Sequence, residues 1–405
     1  MTVSGDNRWK LKGRVVTAGV DLANGWVTVD GTLITGVGSG DGPSCPVTAD
    51  LGDFIIAPGF VDLHVHGANG YQFGGESRSE VVTAAREVAI GHAAHGTTTL
   101  MATTISEEPE RLRMIVSALG SLVGTKVPCG AQLGGIHMEG PWLAPTRTGA
   151  HDPLRLRPPD AKELESLIEA SGKTIRLVTY APELDRDHSV LNAGLNAGIV
   201  MSVGHTEADW ETVLKAFAAG ASHVTHLGNA MAALDRRAPG PIAAALETAG
   251  VTLEVIADGI HVHPGFLSLL AHLADDRLIA VTDAVAGCGM PEGTYRLGDQ
   301  EIVVHSNSAS LASDPGVLAG SVLTMDRAVA MLCSIGMSLQ AAITTATATP
   351  AARAGMPSKG HLRPGGDADI VVLRPNLAAA ATVVCGSVAW DPMGLLDPLG
   401  TKGSS

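Results

Sequence analysis

A chain of 405 residues, 45% hydrophobic and 17% charged, has the apolar content for one large domain or two to three smaller ones and does not read as disordered. Its net charge of −14 argues against nucleic acid as a partner, and an anionic ligand would need basic residues gathered at its site. Five scattered cysteines without CxxC spacing argue against a disulfide framework or a structural zinc site, and no apolar run nears the roughly 20 residues of a membrane span.

Along the chain, Met1 to Arg14 carries charge without an apolar core, so no secretory signal is read and a cytoplasmic location is expected. Residues 11–55 follow as short strands broken by glycine: VVTAGV, GWVTVD and GTLITGVGSG. From about residue 54, eight β-rich runs appear in turn: FIIAPGFVDLHVH, TTTLMATTI, GAQLGGIHME, TIRLVTYA, GIVMSVGHT, ASHVTHL, VTLEVIAD and RLIAVTDA. Amphipathic stretches such as SEVVTAAREVAIGHAAHG, EPERLRMIVSALGSLV and EADWETVLKAFAAG lie between them. Strand–helix alternation implies parallel βαβ units, and eight of them over roughly 230 residues predict a closed (β/α)8 TIM-like barrel. The alternative is an open doubly wound sheet, but no glycine-rich phosphate loop follows the first strand.

The segment from Asp283 to Ser321 is long for a loop, and its TYRLGD and EIVVHS patterns predict an inserted hairpin; residues 321–355 supply closing helices. GHLRPGGDADIVVLRPN and ATVVCGSVAW then resemble the N-terminal strands, and the tail from Asp391 to Ser405 is read as loose. The expected division is a small β-sandwich made by residues 1–57 and 356–405, with the barrel at 58–355.

The chemistry begins with His64 and His66. Residues two apart in a strand point the same way, so both imidazoles face the barrel mouth. An isolated HxH reads as two satisfied strand-end histidines. However, Glu139, His205, His226 and Asp283 stand at the ends of other strands, and six buried polar groups need partners that a metal centre supplies together. Imidazole and carboxylate without thiolate suit zinc or iron(II), with cobalt or manganese as alternatives. One ion or two are expected per chain; six ligand groups exceed one tetrahedral ion and favour two, bridged by Glu139. Asp283, at the last strand, would take the proton of the attacking water and pass it to the leaving nitrogen. His92, His95, His188, His272, His305 and His361 read as surface or packing residues. His137 and His223 read as strand residues out of phase with Glu139 and His226.

In order, PGFVDLHVHG, HMEGPW, VGHTEA, THLGNAM, ADGIHV and VTDA resemble the N-acetylglucosamine-6-phosphate deacetylase family, from about Leu51 to Leu373. HMEGPW with THLGNAM is specific to that family, whereas the HxH marks only the amidohydrolase superfamily. The resemblance implies removal of acetate from the sugar amide, in amino-sugar catabolism and cell-wall recycling. It makes Glu139, His205 and His226 the shared metal ligands and Asp283 the acid/base; with His64 and His66 kept, it implies the two-metal branch. His151, beside Ala150, would polarise the acetyl carbonyl, and Asn229 and Ala230 would hold the phosphate. Arg237 would reach the phosphate of a neighbouring subunit, which implies a homodimer or a tetramer. His261 would contact the sugar, and Leu318, Ala319 and Gly320 would form a substrate-lining turn. Gly228, where many relatives carry an aromatic residue, and Pro241 depart from the pattern.

Other readings stay open at this point. Arg236 and Arg237 also fit a solvated pair, and His261 and His263 fit a cap for the helix beginning at Pro264. Another deacylase of the superfamily, a cyclic amidase and a non-catalytic sugar-binding protein are the rival functions. A cyclic amidase would carry a bridging lysine on the fourth strand, whereas TIRLVTYA has none and Lys173 precedes it.

Overall fold

Pro58 and Gly59 divide the run FIIAPGFVDLHVH between two sheets. In the computed structural model, which describes residues 8–399, Val47–Pro58 lies in a sheet of the terminal segments and Phe60–Val65 opens the barrel. Proline has no N–H to continue a ladder. At Gly59 a Cβ would stand 2.2 Å from the Thr98 side chain, so only glycine fits the crossing.

The barrel strands are β1 (Phe60–Val65), β2 (Thr97–Thr104), β3 (Gln132–Glu139), β4 (Ile175–Tyr180), β5 (Val200–Val203), β6 (His223–Val224), β7 (Thr252–Ile256) and β8 (Leu278–Val281). They pair in that order, all parallel. Asp283 N–H donates to the His64 carbonyl (2.8 Å) and His66 N–H to the Ala284 carbonyl (2.8 Å), which brings β8 back to β1. Each of the eight runs read from the sequence supplies one barrel strand, the first of them only from Phe60 onward. Helices Met325–Ser334, Leu339–Thr345 and Ala348–Arg353 follow where closing helices were expected.

The terminal segments form one seven-stranded sheet, ordered Ser387–Trp390, Ala379–Val384, Ile370–Leu373, Val47–Pro58, Arg8–Thr17, Val20–Asp30 and Leu33–Ser39. Its last strand returns to the approach of Ile370–Leu373: Ile34 N–H donates to Gly366 O (2.9 Å) and Gly365 N–H to Ile34 O (2.9 Å). The expected sandwich is thus one curled sheet folded over a core of Trp9, Leu11, Val27, Ile56 and Ile370. Leu396 and Leu399 belong to that core, and Asp391 accepts the N–H groups of Leu395 and Leu396 (3.0 and 2.7 Å). The tail is therefore packed as far as Leu399, because its leucines complete an apolar layer. Its end, and the start of the Met1–Arg14 segment, lie outside the described residues.

The inserted hairpin is larger than expected. Gly293–Leu297, Gln300–His305, Ser308–Leu311 and Leu318–Ser321 form a four-stranded antiparallel sheet over the mouth, with its own core of Val285, Ile302, Val304 and Leu311. No helix among the described residues is long and apolar enough to cross a membrane.

Candidate active site

Six polar side chains converge where the strands end. His64 and His66 come from β1 and Glu139 from the last position of β3; His205, His226 and Asp283 follow β5, β6 and β8. The last three have positive φ (47°, 29° and 50°), a costly conformation for residues with a Cβ. It turns each chain end so that the side chain aims over the barrel axis. Glu139 is the centre. Its Oε1 lies 3.1 Å from His205 Nε2 and 3.0 Å from His226 Nε2, and its Oε2 lies 3.2 Å from His66 Nε2. The nitrogens of His64 and His66 are 3.1 Å apart, as are those of His205 and His226. Asp283 Oδ1 stands 3.2 Å from His66 Nε2 and 3.5 Å from His64 Nε2.

Proton positions show what these groups fit. Glu254 Oε2 accepts from His64 Nδ1 (3.1 Å), and the Arg147 carbonyl accepts from His205 Nδ1 (2.8 Å). A ring without a second proton then turns its Nε2 lone pair toward other lone pairs and carboxylate oxygens, an arrangement that repels itself unless a proton or a metal cation lies among them. Tetrahedral zinc bonds of about 2.0–2.1 Å place neighbouring ligand atoms about 3.3 Å apart, close to the spacings observed. The donor set fits a divalent metal.

The electrostatics agree. Burial opposes ionisation of Glu139, yet His64 and His205 beside it hold the carboxyl well below the usual carboxylate range. Burial opposes Asp283 too, but His64 and His66 draw it down to about 2. Against the same desolvation, Glu139 and Asp283 push His64 well above the usual imidazole value. The pocket demands positive charge, which metal ions supply in place of protons. His151 differs: burial takes it down to about 4, so it stays neutral. Ser106 N–H donates to its Nδ1 (3.1 Å), which puts the ring proton on Nε2, 3.1 Å from Glu139 Oε2.

The cluster stands at the C-terminal ends of the barrel strands, the face where enzymes of this fold keep their active sites, and comparison narrows the field. Residues 55–388 match the model of the amidohydrolase family. The chain belongs to the amidohydrolase family. It is similar to the N-acetylglucosamine-6-phosphate deacetylase of Bacillus subtilis, 32% identical over 385 residues, covering 93% of this chain and 95% of that one. The enzyme of that name from Homo sapiens is 35% identical over 350 residues (84% and 85% covered). The N-acetylgalactosamine-6-phosphate deacetylase of Escherichia coli O157:H7 is 32% identical over 337 residues (83% and 88% covered). Among solved structures, a D-to-A mutant of the Mycobacterium smegmatis N-acetyl-D-glucosamine-6-phosphate deacetylase, in complex with N-acetyl-D-glucosamine-6-phosphate, superposes with a TM-score of 0.89. It is 36% identical and covers 95% of this chain and 100% of that one. The resemblance read from the motifs holds along most of the chain.

In this amidohydrolase the cluster opens into a cavity of about 460 Å³. Ala150, His151, Asn229, Ala230, His261, Leu318 and Gly320 line it, while Ala319 turns into the roof's core. His261 is fixed by Asp258 (2.7 Å), and it is His263 that caps the helix at Pro264, accepting from Gly265 N–H (3.1 Å). Arg237 stands exposed outside the cavity, on a turn held by Asp235. Lys173 pairs with Glu169 at the surface (3.2 Å), so it cannot serve as the bridging lysine of a cyclic amidase.

Two histidines need correction. His137 lies two residues before Glu139 and therefore shares its face; it points into the barrel and contacts Thr179 Oγ1 (2.7 Å). His223 is also interior, between Thr252 Oγ1 (2.5 Å) and Glu254 Oε1 (2.9 Å). The residue missing from the sequence reading is Glu254, fully buried beneath the cluster and holding both His64 and His223.

Proposed function

We propose that the chain hydrolyses N-acetyl-D-glucosamine 6-phosphate to acetate and D-glucosamine 6-phosphate. The observation that carries the reading is Glu139 joining four imidazoles beside Asp283 and His151, on the floor of a cavity whose other side offers Asn229, Ala230 and His261. His64, His66, Glu139, His205 and His226 would hold the ions, two per chain, zinc or iron(II) before cobalt or manganese. When bound, such ions supply Lewis acidity to the amide carbonyl and the attacking water. Asp283, kept ionised, takes the proton of that water and delivers it to the leaving nitrogen. His151 donates from Nε2 to the acyl oxygen as negative charge develops there. Glu254 and the Arg147 carbonyl keep the ligand rings in the productive tautomer.

Arg237 completes the phosphate site of a second copy, so the working unit is at least a homodimer. A chain of net charge −14 needs a local cation for a dianionic phosphate, and a guanidinium binds one bidentately. Acetate release from the phosphorylated and plain sugars, and from the galactosamine isomer, tests the substrate. The phosphorylated glucosamine form should be strongly preferred, and metal-replete protein inert toward it would overturn the reading. Subunit mixing tests Arg237. Asp283→Asn and Arg237→Ala proteins, each poorly active alone, should regain activity on exchange, because a hybrid dimer has one intact site. Verified exchange without recovery would rule out a shared site.

A further inference from the structure

Polar and apolar groups share the wall of the active-site cavity about equally. On one side Ile105, just past β2, and Leu297, from the roof, face it beside His66 and His151. The same two side chains and His66 also line a recess of about 10 Å³, bounded beyond them by Gln72, Phe73, Glu107 and Arg111. Such a volume holds about one water molecule. Ile105 and Leu297 therefore partition the reaction cavity from a recess too small for a carbon chain.

The partition is braced. Ile105 Cδ1 lies 2.2 Å from where a Cβ on Gly298 would stand, so its tip rests on the bare backbone next to Leu297. Gly298 is clamped from both sides of its peptide: its N–H donates to Gln72 Oε1 (2.6 Å) and its carbonyl accepts from Gln72 Nε2 (3.3 Å). Asp299 is held by Arg111 (3.0 Å) and Arg155 (3.3 Å). Ser106, which follows Ile105, is the residue that sets the tautomer of His151.

We infer that Ile105 and Leu297 form the wall that limits the acyl group to acetyl; this rests on the deacetylase reading. In an N-acylated sugar phosphate, the acyl end is the one terminus whose carbon carries no polar substituent. With the acyl oxygen on His151 Nε2, the neighbouring apolar surface is this wall. A longer chain would have to displace Ile105, whose tip rests on Gly298, or Leu297, whose backbone neighbour Gly298 is clamped by Gln72. Val317 and Leu318, the remaining large apolar side chains on the cavity, stand on the roof's far strand and its approach and serve as the comparison.

The test is kcat/KM for the N-acetyl, N-propionyl and N-butyryl forms of glucosamine 6-phosphate with wild type, Ile105→Ala, Leu297→Ala and Val317→Ala. Ratios are taken within each protein, so losses of folded fraction or bound metal cancel. Wild type should lose about 10-fold or more per added methylene. Ile105→Ala and Leu297→Ala, which open the recess from different elements, should each raise the propionyl-to-acetyl ratio by about 10- to 100-fold. Unchanged ratios in both variants, or a rise confined to Val317→Ala, would overturn the wall while leaving the deacetylase reading intact. Wild type inert on all three forms would overturn that reading and this one with it.

Discussion

Replacing Glu254 separates the part of the metal site that orients from the part that ligates. The carboxylate is fully buried and accepts from His64 Nδ1 (3.1 Å), His223 Nε2 (2.9 Å) and His226 N–H (3.3 Å). His64 and the His226 N–H share Oε2, while His223 uses Oε1. Glu254→Gln can keep this pattern with its amide oxygen toward His64 and His226 and its NH2 toward His223. His223 would then move its proton to Nδ1, where Thr252 Oγ1 lies 2.5 Å away to accept it. Glu254→Leu offers no such arrangement. His64 loses the acceptor that fixes its tautomer, and each stranded N–H costs about 1–3 kcal/mol. Loss of an orienting partner typically weakens metal binding by about 10–100-fold, equivalent to about 1.4–2.8 kcal/mol. Glu254→Leu should reach that range, and Glu254→Gln should fall at or below its lower end. Competition with a chelator of known affinity gives the dissociation constants, and elemental analysis gives the stoichiometry. If Glu254→Leu binds both ions with wild-type affinity, Glu254 does not support the ligands.

Asp283→Asn should lower kcat by about 10²–10⁴-fold, the range for a general acid–base group, and a variant keeping most of its rate would exclude the proton-shuttle role. Gly320→Ala places a Cβ at φ +58, 2.5 Å from Val285 Cγ1 and 2.7 Å from the Asp283 carbonyl. It should destabilise the fold by more than about 1 kcal/mol and reduce turnover by shifting Asp283; thermal unfolding with a rate assay checks both. His151→Phe removes the donor to the acyl oxygen while keeping a ring, and should cost about 10²–10³ in kcat with little change in metal content. A near-normal kcat would remove His151 from the mechanism.

The barrel was legible because its strands are apolar runs whose polar residues collect at one end. His64, His66, Glu139, His205, His226 and Asp283 stand out for that reason. Glu254 was harder to see because it sits inside VTLEVIAD rather than at its end. A carboxylate in the middle of an otherwise apolar run is nevertheless a signal, since a buried charge must be paired. His137 was recoverable from strand alternation, being two residues from Glu139. The size of the roof was written in EIVVHSNSASL, where Ser306 and Asn307 both take positive φ in a two-residue turn between paired strands. By contrast, the handover between sheets falls inside the run FIIAPGFVDLHVH, where the Pro58–Gly59 pair signals a break but not that its two halves join different sheets. The curl of the terminal sheet was likewise hidden, because strand patterns do not say which edges meet.

The most direct measurement is titration of ion-free protein with zinc or iron(II) while acetate release from N-acetyl-D-glucosamine 6-phosphate is followed. The Glu139-centred site predicts no turnover without metal and a rise that levels off at two equivalents per chain; a plateau at one would leave the His64–His66 side without a catalytic ion. Full turnover in protein shown to be free of metal, or two bound equivalents with no acetate released, would contradict the account.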